Sequence, residues 1–167
     1  VLFTFNGKQE VTYLKGVESN FSKVNAIEKT LFNGQWLQPN TYQVVVGYGI
    51  AQKFSMGLLD FNNQLEVLVP KPGKGAIENP EQAFNKTDLI PVGIYAISED
   101  LDSKYVFADL GLAQELLEYK TNQVSGIEIK VKKGADERTI TAQLQTIFDN
   151  KITVKNRAQL NEALYKM

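Results

Sequence analysis

The chain has 167 residues, 43% hydrophobic and 22% charged, with a formal net charge of −1, a profile that fits one ordinary globular domain or two small ones. It contains neither cysteine nor histidine, which excludes disulfides, thiolate metal sites, Cys–His nucleophiles and the Ser–His–Asp triad, and removes the commonest general acid–base group near neutral pH. The lysines are interspersed with acidic residues rather than gathered in a stripe, so nothing points to nucleic acid, and no apolar run approaches the ~20 residues that span a bilayer.

Val1–Phe5 (VLFTF) and Val11–Val17 (VTYLKGV) read as strands. Asn6-Gly7 between them is a hairpin signal, because both residues accept positive φ, and Gly7-Lys8-Gln9 lengthens the loop slightly. No leader peptide is visible, and the chain opens at Val1 directly on a strand, so targeting or membrane segments are expected to lie outside it. Phe21, Val24, Ile27 and Leu31 fall at helical spacing, which predicts a short helix over 21–31 capped by Asn20 or Ser22. Gly34–Asn40 reads as a turn with Trp36 as an aromatic anchor. Gln43–Gly47 is a strand of the buried type. Tyr48–Phe54 is a helix with Ile50, Ala51 and Phe54 on one face and Gly57 as its stop. Asp60–Asn63 is a turn.

The next stretch is the most informative. Leu65, Val67 and Val69 alternate with Glu66 and Leu68, and Leu89–Tyr95 is an apolar run with β-branched members, so both read as strands. Between them lie residues 70–87, far longer than the two to five residues usual in a hairpin turn. This connection holds Pro70, Pro72 and Pro80, with Gly73 and Gly75. It is either a disordered surface loop or a protruding loop that touches a partner. Ile77, Ala83 and Phe84 are apolar where pure disorder favours polar residues, and the prolines lower the entropy lost on ordering. The candidate partner-binding residues are Pro72, Gly73, Ile77, Pro80 and Phe84.

Ser98–Ser103 is an acidic turn, Lys104–Ala108 a strand, and Leu110–Tyr119 a helix with Asp109 as its N-cap. From Ser125 the grammar changes. Ile127, Ile129 and Val131 alternate with Glu128, Lys130 and Lys132 as in a half-buried strand. A helix over Glu137–Phe148, a strand over Lys151–Lys155 and a helix over Ala158–Tyr165 follow. This tail has the grammar of half of a split β-α-β subdomain.

Three motifs have bland readings beside sharp ones. Gly47-Tyr48-Gly49 joins a strand to a helix as a phosphate-binding turn does, but Gln52 stands where a third glycine belongs, so a tight turn is the default. Glu99, Asp100 and Asp102 cluster without calcium-loop spacing and without a second acidic group nearby, as in a solvated turn. Trp36 is the only tryptophan, read as a core or subdomain-interface anchor, with a ligand platform as the alternative. No catalytic residue, cofactor site or metal site is assigned, and the chain is expected not to be an enzyme.

The order of QVVVGYGIAQKFSM, LEVLVPKPG, a long loop, IPVGIYAISEDLDSKYVFADLGLAQELL and VSGIEIKVK resembles the periplasmic domain of lipoprotein-releasing ABC transporter permeases of the LolC/LolE type, within the MacB/FtsX-like superfamily. Leu89–Tyr95, Tyr105–Leu110 and Val124–Ile127 carry the match. The resemblance implies an α+β fold with two parts. Residues 1–122 would form a β-rich subdomain bearing the hook-like loop 70–87. Residues 123–167 would be the C-terminal half of a porter-like split β-α-β subdomain, completed by chain from before Val1. It further implies a periplasmic domain of an inner-membrane protein, whose membrane segments lie outside this chain. Its partners would be an ABC ATPase subunit and a second permease, through the full-length protein, and a periplasmic lipoprotein carrier or adaptor. The alternative within the superfamily is a MacB-like efflux or mechanotransmission domain that binds a periplasmic adaptor.

Overall fold

The structure is a computed structural model that describes residues 1–58, 63–73, 83–156 and 158–159. It divides into two compact units, Val1–Glu128 and Ile129–Met167.

The first unit begins with a hairpin. β1 (Leu2–Phe5) turns at Asn6 and Gly7, with φ of 46° and 75°, into β2 (Lys8–Val11). The turn therefore has two residues, shorter than expected, and Lys8 pairs directly with Phe5. The expected second strand, Val11–Val17, is cut in two at Thr12. The Thr12 amide donates to the Val1 carbonyl at 3.0 Å, and its hydroxyl donates to the Lys104 carbonyl. Thr12 thus hands the chain from β2 to β3 (Tyr13–Val17), which runs parallel to a strand on the far side of the sheet.

The helix predicted over 21–31 is two short pieces, α1 (Phe21–Asn25) and a 3-10 turn (Ile27–Thr30). Ala26 separates them in the left-handed region, φ 53°, with its amide donating to the Ser22 carbonyl at 2.7 Å. Leu31 then opens a strand that the sequence pattern does not announce, β4 (Leu31–Gly34). β5 (Gln43–Gly47) and α2 (Tyr48–Phe54) lie where expected, but α2 ends at left-handed Ser55 rather than at Gly57. Most of the turn expected at Asp60–Asn63 falls outside the described residues.

β6 (Leu65–Pro70) pairs antiparallel with β7 (Phe84–Tyr95), from Leu65↔Leu89 to Pro70↔Phe84. The loop expected over 70–87 is thus shorter at both ends, because Pro70 and residues 84–87 belong to the ladder. One further bond, from the Lys71 amide to the Ala83 carbonyl at 2.9 Å, closes the arm beyond it. α3 (Glu99–Asp102), β8 (Tyr105–Asp109) and α4 (Leu110–Leu116) complete the unit. α3 is a single helical turn where an irregular acidic turn is expected. Asp109 caps α4 as anticipated, accepting from the Gly111 amide at 2.9 Å.

The strand order is β2-β1-β6-β7-β5-β8-β3, with β4 also on β7. β7 is the spine: residues 84–89 pair with β6, residues 90–95 with β5, and 93–95 with β4. An extra residue in β7 between Pro91 and Gly93 shifts its register against β5, the local bend that a bulge produces. The two ends of the strand path, β2 and β3, are consecutive in the chain with only Thr12 between them. The mixed sheet is therefore curled on itself.

Its concave face holds Phe3, Phe5, Leu65, Val67, Val69 and Leu89 against Ile50 and Phe54 of α2 and Leu112 and Leu116 of α4. The opposite face of β5, β7 and β8 presents Val45, Val92, Tyr95 and Phe107, which Ile27, Leu37, Phe21 and Trp36 cover. Trp36 lies parallel to Phe21 at 6.5 Å and tilted on Phe107 at 5.6 Å. It is a half-buried core anchor.

In the second unit α5 (Glu137–Ile147) forms as predicted. Asp136 caps it, accepting from the Arg138 and Thr139 amides at 3.1 and 3.3 Å and from the Thr139 hydroxyl at 2.6 Å. These bonds hold its carboxyl below the usual carboxylate range. The strands predicted at Ile127–Lys132 and Lys151–Lys155 do not form, since an alternating pattern becomes a strand only where a neighbour supplies ladder partners. Ile127, Ile129, Val131 and Ile152 stand in solvent instead. Of the final helix predicted over 158–165, Ala158 and Gln159 are helical and the remainder lies outside the described residues.

Candidate partner-binding arm

The candidate site is the two-stranded β6–β7 arm. Alternation along β6 turns Leu65, Val67 and Val69 into the core and leaves Pro70 exposed. Along β7, Phe84, Lys86, Asp88 and Ile90 face solvent while Leu89 is buried. Of the predicted residues, Pro72 and Gly73 are exposed directly beyond Pro70. Phe84 pairs with Pro70 and is 38% exposed. Ile77 and Pro80 lie outside the described residues. Pro70, Pro72, Gly73 and Phe84 are thus brought together at the outer end of the arm.

Two further features of this surface carry no sequence signal that singles them out. The outer face of the arm continues onto β1 and β2, where register places Leu68 beside Leu2 and Leu2 beside Val11. Val11 is 80% exposed, so an apolar row crosses three strands of the sheet next to the arm. Lys86 of β7 forms an ion pair with Glu66 of β6, which raises the lysine pKa. Both side chains reach solvent, so the pair adds little stability.

The other motifs resolve into structure. Gly47 and Gly49 press against the end of α3: a Cβ on Gly47 would lie 2.6 Å from the Asp102 carbonyl carbon, and one on Gly49 would strike the Ser103 side chain. The space that a phosphate would need at this turn is filled by protein backbone. Asp102 is buried and accepts from the Ile97 and Ser98 amides at 2.8 and 3.3 Å, so it closes a turn. Glu99 and Asp100 are exposed on α3. Among the described residues no three acidic side chains group as a metal site would require.

Tyr95, fully buried on β7, has its hydroxyl 2.8 Å from the Leu101 carbonyl and 3.0 Å from the Tyr105 carbonyl. Burial, followed by the negative charge of Asp102, pushes the phenol well above its ordinary value. Unfolded, Tyr95 ionises at about pH 10; folded, it keeps its proton to higher pH. The stability it contributes is therefore complete below that pH and falls as pH rises above it. In an alkaline titration followed by phenolate absorbance, one phenol is expected to ionise only when the fold opens. Tyr95→Phe removes that phase; its persistence in the variant would contradict the assignment.

No family model matches the chain, and no curated protein does. Eleven solved chains match in structure. One is the periplasmic region of MacB from Actinobacillus actinomycetemcomitans, with a TM-score of 0.60 and 11% sequence identity over 99% of this chain and 72% of that one. The likeness is one of fold: this chain is similar to a MacB-type periplasmic region. No helix among the described residues is long and apolar enough to cross a membrane.

Proposed function

We propose that this chain is an extracytoplasmic domain of an ABC transporter permease, on the periplasmic side of the inner membrane, and that the β6–β7 arm is its protein-docking element. The carrying observation is the arm itself. A hairpin of the main sheet ends in exposed Pro70, Pro72, Gly73 and Phe84 on a fold like that of a MacB periplasmic region. Prolines and a paired ladder restrict the docking segment before it binds, which lowers the entropy cost of association. The apolar row of exposed Val11 and half-buried Leu2 and Leu68 widens the surface a partner could cover.

In the first reading the partner is a periplasmic lipoprotein carrier, and the domain guides lipoproteins out of the inner membrane. The order of the motifs around Leu89–Tyr95 and Tyr105–Leu110 supports it. In the second reading the partner is a periplasmic adaptor protein and the domain transmits motion, as the MacB-like fold favours. Both are mechanical and non-enzymatic readings in which no cofactor takes part: in the first, ATP hydrolysis belongs to a separate cytoplasmic ATPase and a second permease completes the pair, whereas a nucleotide-binding domain fused in the same chain would favour the second. The lack of histidine and cysteine in the sequence supports the non-enzymatic part.

The test replaces Phe84 with a photo-crosslinking residue in the full-length protein and adds purified lipoprotein carrier or purified adaptor. A crosslink to the carrier supports the first reading and one to the adaptor the second. Crosslinking to neither, with the transporter assembled, contradicts the arm as the docking element.

A further inference from the structure

We infer that Asn85 is a positioning residue that buckles the arm to the end of α4 and so fixes the direction in which the arm points. The inference concerns the arm itself and holds whatever the arm touches. Asn85 follows Phe84 on β7 and lies opposite Val69. Its amide nitrogen donates to the Leu116 carbonyl at 2.9 Å and to the Glu118 carboxylate at 3.2 Å. An amide NH₂ has two protons, and this geometry uses both.

The acceptors explain why the contact lies at this place. Leu116 is the last residue of α4, where carbonyls lack partners within the helix. Glu118 stands in the left-handed region at φ 54°, a conformation that a non-glycine residue keeps only where its surroundings hold it. Between the arm and α4 is a cleft of about 160 Å³, with Tyr42, Thr87, Leu112 and Glu115 in its lining. At this level polar bonds therefore bridge the arm and the helix across a gap that apolar packing does not fill. α4 in turn packs on β3, where Ala113 meets Gly16. A push on the arm end would thus pass through Asn85 to α4 and on to β3. Without the buckle the end of the arm beyond Leu68, where the pairing of β6 with β1 stops, bends away from α4.

The chain has no cysteine, so two nitroxide labels can be placed without background. Pro70→Cys labels the arm and Lys120→Cys labels the segment after α4, and the distance distribution between them is measured in the full chain. The expected result is one narrow peak. Asn85→Asp is nearly isosteric but turns oxygens toward the Leu116 carbonyl and the Glu118 carboxylate; it should abolish the narrow peak and lengthen the mean distance. Asn85→Ala should broaden the peak without the repulsive shift, and Glu118→Ala, which keeps the Leu116 bond, should fall between wild type and Asn85→Ala. Far-UV circular dichroism confirms that each variant is folded, and if Asn85→Asp is not, the two alanine variants decide. A peak unchanged in the Asn85 variants, or one already broad in the parent, would overturn the inference.

Discussion

Gly47→Ala is expected to lower the unfolding free energy by about 3 kcal/mol, toward the upper end of the range for overpacking a filled site. A Cβ at this position would overlap the Asp102 carbonyl oxygen and lie 2.6 Å from its carbonyl carbon and 2.8 Å from its Cα. All three are backbone atoms, so no rotamer change relieves the clash. The backbone there is also held in place, since the Asp102 amide donates to the Ser98 carbonyl at 2.8 Å and its carboxylate closes the turn at Ile97 and Ser98. Either α3 moves away or the β5–α2 turn opens. Gly57→Ala is the matched control: among the described residues a Cβ there meets nothing within 4 Å, and its unfolding midpoint in urea should stay near wild type. Equal losses at Gly47 and Gly57 would show that close packing is not why Gly47 is glycine.

Phe54→Ala is expected to cost more, about 3–5 kcal/mol, the usual penalty for truncating a buried phenylalanine. Phe54 is 1% exposed at the end of α2, with its ring 6.0 Å from that of Phe5 on β1. It shares the concave core with Val67, Val69 and Leu89, the inward residues at the root of the arm. The cavity therefore opens beneath the arm as well as beneath the helix. Phe54→Leu fills most of the volume and should recover a large part of the loss. Chemical denaturation with unchanged slope and a shifted midpoint would report lost packing. An unchanged midpoint in Phe54→Ala would mean that α2 is not part of the same cooperative core.

Elements whose signal is local were legible. Val44–Val46 in β5, the alternation of Leu65, Val67 and Val69 in β6, and Ile50, Ala51 and Phe54 on one face of α2 each bury what their period says they should. The misses arose where a neighbour decides. Phe84–Asp88 (FNKTD) is mostly polar and becomes a strand through its pairing with β6. Val11-Thr12-Tyr13 is continuous in β propensity, and only the change of pairing partner from β1 to β8 breaks it. Ile127–Lys132 erred the other way, with a strand pattern but no strand beside it among the described residues.

The candidate site was half legible for the same reason. Pro72, Gly73 and Phe84 stand out by residue type, because prolines and an exposed aromatic are conspicuous between two strands. Asn85 does not stand out at all: its role depends on where α4 ends, which no local pattern encodes. The Gly47-Tyr48-Gly49 turn shows the reverse case, a conspicuous motif whose glycines are explained by Asp102 and Ser103 pressing against them.

The docking role of the arm is tested most directly by trimming it. In the full-length protein, residues 74–82 are replaced by a short flexible linker, and binding is titrated with purified lipoprotein carrier and, separately, with purified adaptor. The expected result is loss of binding to whichever partner the parent protein binds, with the thermal unfolding midpoint of the domain unchanged. Binding that survives the trimming at parental affinity would contradict the arm as the docking element.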